Sequence, residues 1–279
     1  MSAMTKASYE MDAEERRRLD RDGYVVREGV FSPSECAAIA AECEAMVDAL
    51  VAHKAGTEKV AVGSYMFQRA DDLETTVKWE PFAPDLVQGI EPFAHYWQPL
   101  KDWGMDARMT EPCKAITGSN EVVLFTEKLN LKRAKQGGAI ILHQDFPYWE
   151  TWAPQAPRIA TAMIFLDDST IENGCLQVAP GTHKQGKWPQ RTDTDAFGSL
   201  EMDEAQFDMS RLIPLEVKAG TVAFFGAFLV HRSLPNTSAV DRRALLYSYQ
   251  PPEFPHAREM MSWRRRQQAA AAAKTEGAE

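Results

Sequence analysis

The sequence predicts a mainly β protein with a helical layer at its N-terminus. Its 279 residues, 44% hydrophobic and 25% charged, have the composition of an ordinary globular chain. From Glu121 to Tyr249, short β-type runs alternate with Gly, Pro, Asn and Asp, which is typical of a sandwich, a jelly roll or a barrel. In the first third of the chain, apolar residues recur mostly at helical spacing.

A chain of this length fits a single domain, predicted over residues 1–279. We expect helical support at about residues 10–118, the β core at about 119–250 and a flexible tail at 264–279. The predicted strands are 122–125, 139–142, 159–166, 176–178, 213–217, 221–225 and 244–249.

The N-terminal helices have clear start and stop signals. Asp12 and Glu15 form a capping-box pattern, and Gly23 ends this short helix. Ser32 is a second N-cap, followed by apolar residues at helical spacing over residues 33–52. The stretches that follow are predicted to be irregular at 54–85, helical at 86–103 and a short helix at 110–118.

Charge and composition disfavour several classes of function. Lys and Arg total 31 against 40 Asp and Glu, and the net charge of −9 disfavours binding to nucleic acid. The sequence contains no apolar run of the ~20 residues that a membrane span needs. The polar N-terminus lacks the apolar core of a secretory signal, so we expect a cytoplasmic protein. The four cysteines form no C-x-x-C pair, which excludes a zinc ribbon and a redox motif of that type.

One of the six histidines stands two residues before a carboxylate, in His143-Gln144-Asp145. Side chains at i and i+2 of a strand point to the same face, so the two groups can converge on one point. By composition, about one His-x-acid pattern is expected by chance in such a chain, and the motif alone is weak. It follows the apolar run 139–142, however, and polar groups at the end of a buried strand need partners.

His231 ends a second apolar stretch and is the candidate for a third ligand. Two histidines and one carboxylate with open positions are the ligand set of non-haem Fe(II) oxygenases. The same set also serves catalytic zinc, so the spacing alone leaves both metals open.

Arg242 lies eleven residues after His231, at the start of a predicted strand. An Arg fork near the metal suits a dicarboxylate, and the Ser233 hydroxyl can donate to the same carboxylate. Two alternatives exist: Arg242 pairs with Asp241 at the surface, or Arg243 takes the inward position.

Four segments in order resemble the phytanoyl-CoA dioxygenase family of Fe(II)/2-oxoglutarate-dependent oxygenases, over roughly residues 20–250. They are the opening Asp-Gly-Tyr-Val-Val with Phe-Ser-Pro-Ser-Glu-Cys (22–26 and 31–36), His143-x-Asp145, the segment 168–183 with Glu-Asn-Gly-Cys and Pro-Gly-Thr-His, and His231-x-Ser233 running to Arg242.

The resemblance implies a double-stranded β-helix (jelly-roll, cupin-like) core with N-terminal helices. It implies iron held by His143, Asp145 and His231, and 2-oxoglutarate held by Arg242 and Ser233. For a further polar contact to the co-substrate, Thr161 is a candidate with Met163 on the same face, and Lys128 or Asn130 can reach the co-substrate or the substrate. His183 lies in a turn that the family uses structurally.

The implied reaction is hydroxylation of an unactivated C–H of a small organic substrate, with release of succinate and CO₂. Halogenating members lack the carboxylate that Asp145 supplies here, so Asp145 favours hydroxylation, while desaturation, cyclisation and epimerisation stay open. A zinc hydrolase that does not use 2-oxoglutarate and a non-catalytic jelly-roll binding protein are the alternatives.

We expect a monomer or homodimer that acts on a small molecule, without nucleic-acid or membrane partners. The candidate substrate residues are Phe146, Tyr148, Trp149 and Trp152 after the metal motif and Tyr65, Phe67 and Arg69 in the segment predicted to be irregular.

Overall fold

The computed structural model describes residues 9–53, 58–62, 65–191 and 201–260, so the predicted tail at 264–279 lies outside the described residues. The helices are α1 (Ala13–Asp22), α2 (Pro33–His53), α3 (Gln98–Gly104), α4 (Ala107–Thr117) and α5 (Phe146–Trp149). The strands are β1 (Tyr24–Arg27), β2 (Val60–Val62), β3 (Tyr65–Ala70), β4 (Thr75–Glu80), β5 (Ala83–Glu91), β6 (Val123–Lys132), β7 (Ile140–His143), β8 (Ala160–Phe165), β9 (Leu176–Ala179), β10 (Ile213–Pro214), β11 (Val222–Gly226), β12 (Val230–Ser233) and β13 (Arg242–Gln250).

The two predicted N-terminal helices form with their expected caps. Asp12 accepts from the Glu15 backbone N–H in a capping box, and Gly23 closes α1 in the left-handed region at φ 87°. At the start of α2, the Glu35 carboxylate accepts from the Ser32 backbone N–H at 2.7 Å. Both helix starts follow from local chemistry.

The described strands form two antiparallel sheets. The large sheet has the order β1-β11-β8-β13-β6-β5-β4-β3-β2, and the small sheet has the order β10-β9-β12-β7. Met163 and Phe225 of the large sheet pack against Leu176 and Val178 of the small one. The mainly β architecture predicted from the sequence is therefore confirmed.

The segment between α2 and α3 corrects the prediction for residues 54–103. Strands β2 to β5 lie in this segment and extend the large sheet, and only Gln98–Gly104 of the predicted helix is helical. The residues 10–118 are thus helical only in part. Val77 and Trp79 are buried on alternate positions of β4, but charged residues between them obscure the period-2 pattern. In addition, α4 begins at an Asp106 N-cap, earlier than expected.

The helical layer packs on the large sheet through α2, α3 and α4. Cys43 and Met46 of α2 belong to the same buried cluster as Leu245 and Tyr247 of β13. The Tyr247 hydroxyl donates to the Leu100 carbonyl at 2.7 Å. No helix among the described residues is long and apolar enough to cross a membrane.

A buried carboxylate joins β6 to the turn before α3. Glu127 is completely buried and accepts from the backbone N–H groups of Phe93 at 2.8 Å and Ala94 at 2.5 Å. The His256 ring lies 3.2 Å from its second oxygen. Burial opposes ionisation, but His256 and the two N–H groups outweigh burial and lower the pKa of Glu127.

We predict that Glu127→Leu destabilises the protein by at least about 2 kcal/mol, because two buried N–H groups lose their acceptor. Since the native pKa is lowered, the stability that ionised Glu127 contributes is present above the ordinary pKa of a glutamate. It is lost as the pH falls through the native pKa. Urea unfolding at several pH values measures both effects.

Glu121→Leu, at an exposed position before the same strand, is the matched control and should leave stability within about 0.5 kcal/mol of the parent. Equal unfolding midpoints for the two variants would contradict the structural role of Glu127.

Candidate metal centre

Two paired strands bring the two predicted histidine ligands together. His143 on β7 lies directly opposite His231 on β12, and their ring centroids are 4.1 Å apart. Asp145 follows β7, and its Oδ1 lies 3.7 Å from His143 Nε2. One ligand atom from each residue lies within 4.8 Å of the others, and all three residues are buried. In the described ranges no other group of three His, Cys, Asp or Glu has this arrangement.

Both histidine rings are held in the tautomer that a metal needs. His143 Nδ1 donates to the Ile141 carbonyl at 2.7 Å, and His231 Nδ1 donates to the Leu229 carbonyl at 3.0 Å. A neutral ring that donates from Nδ1 carries its lone pair on Nε2. Burial and the neighbouring His231 ring hold the pKa of His143 well below its ordinary value. Two neutral imidazoles and a carboxylate fit Fe(II) with open coordination positions.

Arg242 is a buried cation that has no carboxylate partner in the part of the chain that the structure describes. It is 1% exposed, and one guanidinium nitrogen donates to the Gly174 carbonyl at 2.7 Å. Its Nε and the Ser233 hydroxyl are buried without a hydrogen-bond partner. Burial lowers the pKa of Arg242 to about 10, so the guanidinium is still charged at neutral pH. These groups fit the distal carboxylate of 2-oxoglutarate.

The two alternatives for this arginine are decided by neighbouring ion pairs. Arg243 makes a two-pronged pair with Asp167, at 2.9 and 2.7 Å, and so lies on the opposite face of β13 from Arg242. Asp241 pairs with Arg133 at 2.8 Å rather than with Arg242.

A cavity of about 500 Å³ contains the three ligands, Ser233 and Arg242. The predicted residues that line it are Tyr65, Phe67, Arg69, Lys128, Asn130, Tyr148, Trp149, Trp152 and Met163.

Two predicted residues are not among those that line the cavity. The Thr161 hydroxyl lies 3.0 Å from the Ser248 hydroxyl, and it is Met163, two residues on, that faces the cavity. Phe146 stacks on Phe228 with ring centroids 4.3 Å apart.

His183 is not one of the residues that form the ligand cluster. Its Nε2 donates to the Asp20 carbonyl of α1 at 3.2 Å, and a side chain at Gly23 would overlap the His183 ring. His183 therefore joins the β core to the N-terminal layer.

Comparison with known proteins decides the family. The family model described as phytanoyl-CoA dioxygenase (PhyH) matches residues 19–244. The chain belongs to this family. Its members are Fe(II)/2-oxoglutarate-dependent oxygenases, which confirms the predicted reaction class and cofactors. Membership favours neither the zinc hydrolase nor the non-catalytic binding protein.

Individual relatives agree with this family. Phytanoyl-CoA dioxygenase 1 of Oryza sativa subsp. japonica is 23% identical over 246 residues, 83% of this chain and 86% of the relative. Dioxygenase lolE1 of Epichloe uncinata is 29% identical over 179 residues, 62% of this chain and 65% of the relative. The structure of EctD from S. alaskensis has a TM-score of 0.66 and 23% identity, covering 90% of this chain and 78% of EctD. This likeness confirms the jelly-roll fold.

Sequence reasoning missed two residues of this dioxygenase's site. Lys78 lines the cavity from β4, in a segment where no strand was predicted. Gln144 lies between two candidate ligands in sequence, and the sequence pattern assigns it no role. The motif itself shows an amide side chain between two candidate metal ligands, and the structure shows that this amide is buried.

The Gln144 side chain is completely buried and ties three segments together. Its amide nitrogen donates to the Phe228 carbonyl at 2.6 Å and to the Gly186 carbonyl at 2.9 Å. Its amide oxygen accepts from the Trp188 backbone N–H at 2.9 Å. Phe228 precedes β12, so one side chain links the turn that carries Asp145 to the approach of His231.

We predict that Gln144→Glu weakens Fe(II) binding roughly ten- to hundredfold, the range typical of residues that orient metal ligands. A carboxylate cannot donate, and it would face two carbonyl oxygens where the amide donates. Anaerobic Fe(II) titration measures the dissociation constant.

Gln136→Glu, at an exposed position of the β6–β7 connection, is the matched control and should bind Fe(II) as the parent does. Parent-like Fe(II) affinity in a folded Gln144→Glu protein would show that Gln144 does not orient the ligands.

Proposed function

We propose that this protein hydroxylates an unactivated C–H bond of a small organic substrate, with His143, Asp145 and His231 holding Fe(II). Arg242 and Ser233 hold the distal carboxylate of 2-oxoglutarate. The main support for this proposal is that two groups of residues face one cavity. One is a buried His-His-Asp cluster, and the other is a buried guanidinium that lacks a carboxylate partner among the described residues. An isolated buried charge is costly, so the arrangement favours an anionic co-substrate at Arg242.

Bound Fe(II) with 2-oxoglutarate and O₂ supplies the oxidising chemistry, in which the oxo acid becomes succinate and CO₂ and the substrate C–H becomes C–OH. The chain's own residues position the reactants. His143, Asp145 and His231 would hold the metal through three ligand atoms, which would leave coordination positions for the co-substrate and O₂. The two Nδ1 hydrogen bonds keep the rings oriented without a charge on either imidazole.

The substrate side of the cavity is aromatic. Tyr148 packs edge-on against His143 at 5.8 Å, and Trp149 and Trp152 both contact the Phe125 ring. Tyr65 and Phe67 contribute from β3. Such walls exclude water and bind hydrocarbon, so we propose these five side chains, with Arg69, as the substrate contacts.

Two relatives support a small substrate. L-Proline trans-4-hydroxylase of Streptomyces griseoviridis is 34% identical over 151 residues, 46% of this chain and 54% of the relative. The 2-aminoethylphosphonate dioxygenase of an uncultured bacterium is 30% identical over 164 residues, 59% of each. Both are named for small molecules, in keeping with a cavity of about 500 Å³. A cytoplasmic monomer or homodimer is the expectation that accompanies this proposal.

We predict that Asp145→Ala abolishes 2-oxoglutarate turnover, because the metal loses its single anionic ligand. Succinate formation with Fe(II), ascorbate and a panel of small substrates is the measurement. His53→Ala, at the end of α2 where His53 pairs with Asp72 on the surface, should retain full turnover. Retained turnover in Asp145→Ala would remove Asp145 from the proposed ligand set.

We predict that Arg242→Lys raises the KM for 2-oxoglutarate roughly ten- to hundredfold, since charge-assisted hydrogen bonds contribute about 1.5–3 kcal/mol and lysine cannot reproduce the fork. The neighbouring Arg243→Lys faces away from the cavity and should keep the parental KM. An unchanged KM in Arg242→Lys would place the co-substrate elsewhere.

A further inference from the structure

Lys78 is a cavity residue that the proposed mechanism does not use. It lies on β4 between Phe67 of β3 and Gly89 of β5, and both of these neighbours line the same cavity. Its ammonium nitrogen lies 3.4 Å from the centre of the Tyr65 ring. The half-buried side chain therefore presents its charge at the aromatic wall, on the substrate side of the metal.

Lys78 makes no direct ion pair with any described residue, whereas its charged neighbours are paired. Lys128 lies 3.3 Å from Glu91, and Arg69 lies 2.8 Å from Asp71. Lys78 has no carboxylate within 4.0 Å among the described residues. The aromatic face of Tyr65 stabilises a cation only partly, by about 0.5–2 kcal/mol.

The surroundings also oppose this charge. Burial lowers the pKa of Lys78 to about 7, and the nearby positive charge of Lys128 contributes in the same direction, whereas the carboxylates of Glu80, Glu91 and Glu201 act in the opposite direction without outweighing burial. A bound anion would restore the charged form. Lys78 lines the same cavity as His143, Asp145 and His231, so an anion bound at its ammonium would share the cavity with the metal site.

With Fe(II) and 2-oxoglutarate bound, the formal charges of the groups around the cavity would sum to a positive value. Fe(II), Asp145, a 2-oxoglutarate dianion and Arg242 cancel, since +2, −1, −2 and +1 sum to zero. Lys128 and Glu91 cancel as well, as do Arg69 and Asp71. This leaves the charges of Lys78 and of Arg232, a second lining residue whose guanidinium donates to the neutral Gln177 side chain. A positive cavity in a chain of net charge −9 favours entry of anions over cations.

We propose that the substrate is a small organic anion whose carboxylate or phosphonate binds Lys78 while its hydrocarbon part lies against the aromatic wall. This inference rests on the proposed function, because it assumes that the cavity binds the molecule to be oxidised. Lys78 is then a specificity-determining residue, and the distance from the anion to the metal selects the C–H that reacts.

The test measures binding to the holoenzyme, loaded anaerobically with Fe(II) and 2-oxoglutarate. The probes are acid–amide pairs of increasing size, such as proline with prolinamide and benzoate with benzamide, together with phenylphosphonate. Displacements of the visible band of the iron–2-oxoglutarate chelate report binding. We expect at least one acid to bind tenfold or more tightly than its amide, and phenylphosphonate separates a phosphonate from a carboxylate preference.

The variant Lys78→Met keeps the length of the side chain and removes the charge. It should lose the preference for acids and keep the parental affinity for 2-oxoglutarate. The matched control is Lys59→Met, because Lys59 also lies over an aromatic ring, 3.6 Å from the centre of a Trp79 ring, but does not line the cavity. Lys59→Met should keep the acid preference, and Lys78→Arg should restore part of it.

Three results would overturn the proposal. Amides that bind as well as their acids would exclude an anionic substrate but leave the proposed function standing. An acid preference that survives in Lys78→Met, with weaker binding of 2-oxoglutarate, would assign Lys78 to the co-substrate. If the chelate band does not form in the parent protein, the proposed function itself fails, since that band does not depend on Lys78.

Discussion

The pairing of β7 with β12 is the constraint on which the site depends. It sets His143 opposite His231, and the turn after β7 adds Asp145, so three ligands from two distant segments meet at one point. Each ring is further held by a hydrogen bond from Nδ1 to a carbonyl two residues earlier in its own segment. Gln144 then links the turn to the segment that leads into β12. The placement of the two histidines thus follows from strand register, and the turn directly after β7 places Asp145.

Ion pairs on the outer face of the large sheet show which of the two neighbouring arginines of β13 faces the cavity. Glu44 of α2 contacts both Arg133 and Arg243, and Arg243 also pairs with Asp167. With Arg243 held on the outer face, alternation along β13 directs Arg242 into the cavity. The helical layer therefore does more than cover the core, since its Glu44 carboxylate pairs with Arg243, the outward-facing neighbour of Arg242.

Two of the cavity cations that lack a carboxylate partner in the described chain, Arg242 and Lys78, lie in different parts of the site. Arg242 lies deep, beside Ser233, and suits a co-substrate that every reaction cycle needs. Lys78 lies on the added strands β2 to β5, which form the wall on the substrate side. The jelly-roll core carries the residues that we propose bind Fe(II) and 2-oxoglutarate. The added strands at the edge of the large sheet carry the side chain that we propose selects the substrate.

The sequence was sufficient for features that depend on neighbours along the chain, such as the helix caps and the approximate positions of most core strands. The expected placement of His143 and Asp145 on one strand was only partly right, because β7 ends at His143 and Asp145 lies in the helical turn that follows. Together with the family pattern it also pointed to His231 and Arg242, which line the same cavity as His143 and Asp145. Tertiary structure was needed wherever the partner is remote. The alternating burial along β4 depends on its neighbours β3 and β5 in the sheet, and the charged Lys78 obscures this alternation in the sequence. The sequence therefore does not identify Lys78 as a cavity residue. The place of Met163 rather than Thr161 on the cavity wall depends on the contact of Thr161 with Ser248 of another strand. Burial and cross-strand pairing are long-range properties, and no local pattern specifies them.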